Sequence, residues 1–221
     1  MIKRLFLLLL FPLIFTGCGL DELDYDGETK ILFEGRIVDE NQEPLRNIYV
    51  SIYLANEDDT DIINHTTTDN NGYFKMAFPK PIDADYVALL VNSDNYNPVN
   101  PDYSNTTIQS IELDGRHGYN INFNDIAIFP LVNATTLSIN VNAGEITMPA
   151  FNLIGLVDYN YIDFDLPLSD NLIYNNEAQF TVAKNQIIKL KYETRNATGQ
   201  LIINEQEIII NEVPVTYEFT Y

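Results

Sequence analysis

The sequence has no tryptophan, one cysteine and two histidines among its 221 residues. Zinc peptidase chemistry needs several His, Glu or Cys ligands in set patterns. His65, in HTTT, and His117, in HGYN, fit none of those patterns. A Gly-x-Ser-x-Gly nucleophile elbow and a phosphate-binding glycine loop are also missing. We therefore predict that the protein is not an enzyme and that it uses no metal ion or cofactor.

Carboxylates are abundant, and a glycosidase needs only two of them in the right geometry. The sequence does not single out a catalytic pair, because pairs such as Asp163 and Asp165 occur throughout. Asp58, Asp59 and Asp61 could ligate calcium in a loop, but a solvated charged loop is the favoured interpretation. A glycosidase therefore stays the less favoured alternative.

Basic residues are scarce, with 12 Lys and Arg against 32 Asp and Glu and a formal charge of −20. Such a chain repels phosphate backbones, so we expect no nucleic-acid partner. It also repels anionic membrane surfaces, so attachment to a membrane must come from lipid and not from a basic patch. The simplest role of this acidity is to keep an exposed protein soluble, and binding of divalent cations is the alternative.

Apolar Leu-rich sequence is confined to the N-terminus, where Leu5 to Phe15 follows a positively charged start. This run is shorter than the ~20 residues that span a bilayer and fits a secretory signal core. Cys18 follows at once, in FTGC, which resembles a bacterial lipoprotein signal with Phe15 in place of the usual leucine. The resemblance implies that residues 1–17 are removed and that Cys18 is acylated. Two acyl chains are needed for stable anchoring, and a diacylglyceryl cysteine supplies them.

Residues 18–29 form an acidic tether, CGLDELDYDGET. The tether resembles the signal that, in one group of Gram-negative bacteria, sends lipoproteins to the outer face of the outer membrane. We therefore expect an outer-membrane protein, anchored through Cys18, that faces the cell exterior; a plain solvated linker is the alternative. The tether also imitates the start of an EF-hand loop, but the twelfth position is Phe33, where that loop needs a bidentate Glu. The calcium motif is rejected.

The rest of the chain favours strands, because its apolar residues are mainly Ile, Val, Tyr and Phe. Apolar residues alternate with polar ones in many short runs separated by turn signals. We predict an all-β protein with two antiparallel β-sandwich domains of Ig-like, Greek-key type in tandem. Residues 30–129 form the first, residues 131–221 form the second, and the boundary lies at Pro130.

The first domain contains three motifs: Gly35-Arg36-Ile37-Val38-Asp39, Glu43-Pro44-Leu45, and TDNNGYF at residues 68–74. They resemble the carboxypeptidase regulatory-like, or transthyretin-like, β-sandwich family, with Ile37 for the usual Val and Glu43 for the usual Gly. The resemblance covers less than half of the chain. It implies a seven-strand Greek-key sandwich that acts as a spacer, accessory or display module, with no catalytic residues to carry over.

Particular strands and turns are also predicted. Asp69-Asn70-Asn71-Gly72 is a hairpin signal, because Asn and Gly tolerate positive φ. The apolar alternation slips by one residue near Asn124–Asp125, which predicts a bulge. In the second domain, the alternation at Ile162 and Phe164 predicts one of six or more strands.

Asn92–Asn105 is a long loop for a sandwich, and loops of this length are often functional. Tyr96 and Tyr103 offer stacking platforms, and Tyr119 follows in a neighbouring loop. We name these three tyrosines as the candidate ligand-binding residues, with a sugar as the ligand. A Pro- and Asn-rich surface loop is the favoured alternative, and the absence of Trp weakens the sugar hypothesis.

The sequence thus predicts a non-catalytic surface lipoprotein that serves binding, adhesion or display, with a protein or glycan ligand. The alternatives are a carbohydrate-capturing accessory lipoprotein of a nutrient-uptake system and a structural subunit of an outer-membrane complex.

Overall fold

The structure is a computed structural model, and it describes residues 23–56, 60–94, 97–113, 118–141, 151–158, 160–164, 179–195 and 198–219. Among these residues it is almost entirely β-structure, so the predicted all-β sandwich class is confirmed. Several predictions fall outside the described residues: the signal peptide 1–17, Cys18, Asp58, Asp59, Tyr96, His117 and Asp165.

The strands in chain order are β1 (Tyr25–Val38), β2 (Tyr49–Ala55), β3 (Thr60–Thr67), β4 (Tyr73–Pro81), β5 (Tyr86–Val91), β6 (Ser93–Asp94), β7 (Asn97–Pro98), β8 (Thr106–Gln109), β9 (Asn120–Ala127), β10 (Ala134–Val141), β11 (Phe151–Ile154), β12 (Asn160–Asp163), β13 (Gln179–Ala183), β14 (Gln186–Arg195), β15 (Leu201–Ile210) and β16 (Val215–Phe219). A short 3-10 helix, Leu131–Asn133, lies between β9 and β10.

Two sheets face each other in the first part of the chain. One has the order β4-β1-β9, and the other has the order β12-β8-β5-β2-β3. Alternate residues of each strand point between the sheets and form one buried apolar cluster. Phe33, at its centre, meets the rings of Phe78 and Phe123 edge-on, at centroid distances of 4.9 and 5.0 Å. Such edge-to-face contacts add to the stabilisation that burial provides.

The motif residues of the first sandwich serve the fold. The Asp39 carboxylate accepts hydrogen bonds from the amides of Asn41 and Glu43 in the turn after β1. The buried Thr68 hydroxyl donates to the Leu45 carbonyl and accepts from the Ile48 amide. These contacts explain why the motifs indicate a sandwich and are silent on activity.

The hairpin signal is confirmed at the start of β4. The Asp69 side chain accepts hydrogen bonds from the amides of Asn71 and Tyr73. Gly72 has φ +79°, which glycine adopts without strain. The Gly72 carbonyl then accepts a hydrogen bond from the Ile37 amide, which fixes the turn to β1.

The second part of the chain forms two further sheets, with orders β13-β10-β16 and β11-β14-β15. A separate buried apolar cluster lies between them, and Leu137, Ile139 and Phe151 are among its members. Most described strand pairs are antiparallel, as expected, but β1 with β9, β10 with β16, and β8 with β12 run parallel.

The two sandwiches share a connection pattern that the sequence did not reveal. In each, the first strand is the middle strand of a three-stranded sheet. One neighbour is an antiparallel strand, β4 or β13, and the other runs parallel to it, β9 in the first sandwich and β16 in the second. This three-stranded arrangement therefore occurs twice.

β12 lies in the first sandwich, which differs from the prediction that the Ile162 and Phe164 alternation belongs to the second. Asn160–Asp163 pairs in parallel with β8. The Phe164 amide donates to the Gln109 carbonyl, and the Phe164 ring lies 5.2 Å from the Phe123 centroid. Apolar alternation shows that a strand has a buried face, but it does not show which sheet buries it.

The start of the first sandwich also extends further than residue 30. Leu23 is buried in the first core, and β1 begins at Tyr25. Asp26 accepts hydrogen bonds from the Thr29 side chain and the Glu28 amide, which hold the pKa of the Asp26 carboxyl below its usual value. The second half of the acidic tether is therefore part of the fold.

Candidate functional site

A groove crosses the outer face of the β4-β1-β9 sheet, on the side away from the core. Its volume is about 860 Å³. We call it the outer groove. Its main side chains come from all three strands: Glu34 and Arg36 of β1, Tyr73 and Lys75 of β4, and Asn122 and Asp125 of β9.

Strand register brings these side chains together. Glu34 lies opposite Lys75, and Arg36 lies opposite Tyr73, on the antiparallel side of β1. On the parallel side, Arg36 lies opposite Asp125. Successive side chains of a strand point to opposite faces, so these residues point outward while Phe33, Phe74 and Ile37 fill the core.

A bulge in β9 shapes one wall of the groove, and it confirms the predicted irregularity near Asn124–Asp125. Glu34 pairs with Asn122, but Arg36 pairs with Asp125, so β9 has one extra residue. Asn124 takes φ +56°, and its amide donates to the Asn122 side chain at 2.8 Å. Asn is among the residues that tolerate this left-handed conformation best.

Arg36 connects three parts of the groove. Its Nε donates to the Asn71 carbonyl at 3.1 Å, and its Nη1 lies 3.3 Å from Oδ2 of Asp125. Its guanidinium carbon lies 5.9 Å from the centre of the Tyr73 ring, a cation–π contact. Tyr73 is nevertheless 57% exposed, so the residue remains open to solvent.

The carboxylates of the outer groove all have partners. Glu34 Oε2 lies 3.0 Å from Nζ of Lys75, and Asp125 pairs with Arg36. Asp69, at the edge of the groove, is held by the turn amides described above. The groove therefore presents fixed hydrogen-bonding groups of both signs beside an exposed aromatic ring.

The structure does not bring the predicted tyrosines together. Tyr103 packs against the first core and forms an isolated bridge with Pro130, beyond the end of β9. Tyr119 lies at the other end of β9, with Lys80 Nζ 5.5 Å from its ring centre. The eight residues of β9 separate the two by roughly 25 Å at ~3.3 Å per residue. Tyr96 lies outside the described residues.

The loop that carries Tyr103 is organised by Asn92, which is fully buried. The side-chain nitrogen Nδ2 of Asn92 donates to the backbone carbonyls of Asn100, Tyr103 and Ser104. Its side-chain oxygen Oδ1 accepts from the backbone amide of Asn100. The polar side chain of Asn92 therefore has a structural role in the loop.

Neither a metal cluster nor a membrane helix is found in the described part of the chain. No group of three or more His, Cys, Asp or Glu side chains there is arranged to hold a metal ion. In the same residues, no helix has the length and apolarity to cross a bilayer.

Comparison with known protein families finds no match, and no curated protein matches either. Among solved structures, the chain is similar to the Bacillus anthracis TIE protein, with a TM-score of 0.34 and 14% identity over 86% of this chain and 34% of that one. It is also similar to the shaft pilin SpaA from Lactobacillus rhamnosus GG, with a TM-score of 0.30 and 9% identity over 87% and 99% of the two chains.

A third similar structure is 3-chlorocatechol 1,2-dioxygenase from Rhodococcus opacus 1CP, with a TM-score of 0.31 and 13% identity over 50% of this chain and 62% of that one. The chain thus spans about a third of the length of the first of the three structures. None of these likenesses is close enough to carry a function from one protein to another.

Sequence reasoning missed the outer groove. The sequence did predict the bulge and the hairpin turn that border the groove. It did not predict the register of β9 against β1, and only that register places Asn122 and Asp125 beside Glu34 and Arg36.

Proposed function

We propose that this protein is a non-catalytic binding module of the cell surface, anchored by acyl chains on Cys18, and that it holds its ligand in the outer groove. The observation that carries the proposal is the pairing of the groove carboxylates. A glycosidase needs one carboxyl group to donate a proton and a second to act as base or nucleophile. Glu34 and Asp125 are each neutralised by a cation, which suits fixed recognition groups better than acid–base catalysts.

The first sandwich is, on this proposal, a carboxypeptidase regulatory-like module in which the fold supplies a rigid support. Sites built on strands are held more precisely than sites on loops. The outer groove is built on three strands, a turn and a bulge whose backbone groups are hydrogen-bonded. Adhesion, display and capture of a nutrient all require such a surface.

Photocrosslinking in the native host tests the binding role. A benzophenone amino acid replaces Tyr73 in one strain and Tyr119, a tyrosine outside the groove, in a control strain. We expect irradiation to give an adduct from position 73 and none from position 119. Adducts from neither position, or from position 119 alone, would contradict binding in the outer groove.

Protease shaving of intact cells tests the location. Asp21→Ala with Glu22→Ala is the informative variant, because it leaves the folded part of the tether unchanged. There the Asp26 carboxylate accepts a hydrogen bond from the Glu28 amide, and the Asp24 backbone amide donates to the Asp83 carboxylate. A matched control removes two exposed carboxylates elsewhere, Asp61→Ala with Asp85→Ala. We expect the parent and the control to be cleaved and the Asp21/Glu22 variant to be protected. Protection of the parent would place the protein on the periplasmic face and favour the structural-subunit alternative.

A further inference from the structure

The outer groove has the size and openness of a site for an extended small ligand. Small-molecule sites typically have volumes of about 300–1,000 Å³, and this groove lies within that range. It is open along the sheet face, so it is suited to a chain of units more than to one enclosed molecule.

Two of the three groove carboxylates are paired with cations, although the chain as a whole carries −20: Lys75 pairs with Glu34, and Arg36 pairs with Asp125. The third carboxylate, Asp69, accepts hydrogen bonds from turn amides. An anionic ligand would meet the charge of Asp69, and a cationic ligand would compete with Arg36 and Lys75 for their carboxylates. A neutral ligand does neither.

The remaining groups are donors and acceptors in roughly equal supply. Asn122 and Asn124 are exposed, and each amide side chain both donates and accepts hydrogen bonds. Exposed parts of Lys75 and Asp125 add a charged donor and a charged acceptor. Hydroxyl groups also donate and accept, so a polyhydroxylated ligand matches this set. A protein partner is the alternative, since Tyr and Arg are also common anchors of protein interfaces. The experiment below distinguishes the two.

Tyr73 supplies the apolar surface that such a ligand needs. Tyr73 is 57% exposed, and its ring makes a cation–π contact with Arg36. An aromatic ring offers a large amphipathic contact area at low entropic cost. The C–H face of a sugar ring can pack on it while the hydroxyl groups reach the flanking amides.

We infer that the outer groove binds a neutral oligosaccharide, with Tyr73 as the stacking platform and with Lys75, Asn122 and Asp125 as hydrogen-bonding partners. The inference rests on the proposed binding function of the groove and names its ligand class. It places the site on the sheet face, away from the loop of Tyr96 and Tyr103 that the sequence suggested.

Titration calorimetry of the mature chain with neutral hexasaccharides tests the inference. The probes are cellohexaose, laminarihexaose, mannohexaose, xylohexaose and chitohexaose, with hexagalacturonate as an anionic comparison. We expect at least one neutral probe to bind. Tyr73→Ala should weaken that binding at least about tenfold, whereas Tyr73→Phe, which keeps the ring, should retain it. Tyr119→Ala is the matched control and should bind as the parent does.

Three results would overturn the inference: no neutral probe binds, hexagalacturonate binds best, or Tyr73→Ala leaves the affinity unchanged. The photocrosslinked adduct separates this failure from failure of the proposed function. If the partner crosslinked at position 73 is digested by protease and carries no sugar, the binding function stands and the glycan is rejected. Absence of the adduct rejects both.

Discussion

Gly35 lies directly against the ring of Phe74. A Cβ atom placed on Gly35 would sit 2.8 Å from Cε1 of Phe74 and 3.2 Å from the Asn124 carbonyl oxygen. Gly35 is buried in β1, and Phe74 is buried in the neighbouring strand β4. The glycine therefore makes room for an aromatic ring directly beneath the outer groove.

We expect Gly35→Ala to destabilise the protein by about 1–3 kcal/mol, because the added methyl group overpacks this contact. Urea unfolding followed by circular dichroism measures the change. Gly27→Ala, in the same strand, is the control, since nothing lies within 4 Å of its added Cβ. Equal stability of the two variants would show that the Phe74 ring moves aside at little cost.

We expect Asn92→Ala to destabilise the protein by about 2–4 kcal/mol, since it leaves buried carbonyls without their donor. Asn92 also has φ +57°, a conformation that costs alanine about 1 kcal/mol. Asn92→Gly removes the side chain without that strain. Thermal unfolding of both variants separates the two causes, and a Gly variant as stable as the parent would show that the hydrogen bonds contribute little.

We expect Phe164→Ala to destabilise the protein by about 2 kcal/mol, because the half-buried ring packs on Phe123 and the first core. Tyr161→Ala, in β12 but at a residue that is 39% exposed, should cost less. Guanidinium unfolding measures both. If the two changes cost the same, the attachment of β12 to the first sandwich contributes little to its stability.

We expect stability to fall as the pH rises above about 10. Burial raises the pKa of Tyr49 and of Tyr217 above that usual value, with a further contribution from Asp94 at Tyr49 and from Tyr192 at Tyr217. These hydroxyls therefore ionise at a lower pH in the unfolded chain than in the folded protein. The stabilisation is fully present below about pH 10 and is lost as the pH rises through the raised pKa of the folded state. Urea unfolding at pH 8 and pH 11 should show a smaller loss in Tyr49→Phe with Tyr217→Phe than in the parent.

Local features of this fold were readable from sequence because their causes are local. The Asp69–Gly72 turn depends on one capping side chain and one glycine, and the bulge near Asn124 depends on a slip in alternation. β11 was missed because it has only four residues, and the first three, Asn152 among them, are all buried.

Long-range features were not readable. The pairing of β12 with β8 produces no pattern in the adjacent sequence, and neither do the buried contacts of Asn92. The outer groove belongs to the same class. Glu34, Tyr73 and Asn122 are far apart in the chain and meet only through strand register.

The parallel pairing of β1 with β9 and of β10 with β16 also determines how the protein responds to mechanical force. The chain enters the first sandwich at the start of β1 and passes to the second after β9, returning once in β12, and six residue pairs join β1 and β9. A pull between the entry and the exit moves β1 and β9 in opposite directions along their common axis. Their hydrogen bonds are then sheared together and are not unzipped one at a time.

The second sandwich repeats this arrangement through the five pairs between β10 and β16. Single-molecule pulling from the two ends of the chain should therefore give two high-force unfolding events. Pulling across the β14–β15 hairpin, whose strands are antiparallel and open from one end, should need less force. A protein anchored at one end and pulled from the other would thus carry the load through two parallel strand pairs, each of them in shear.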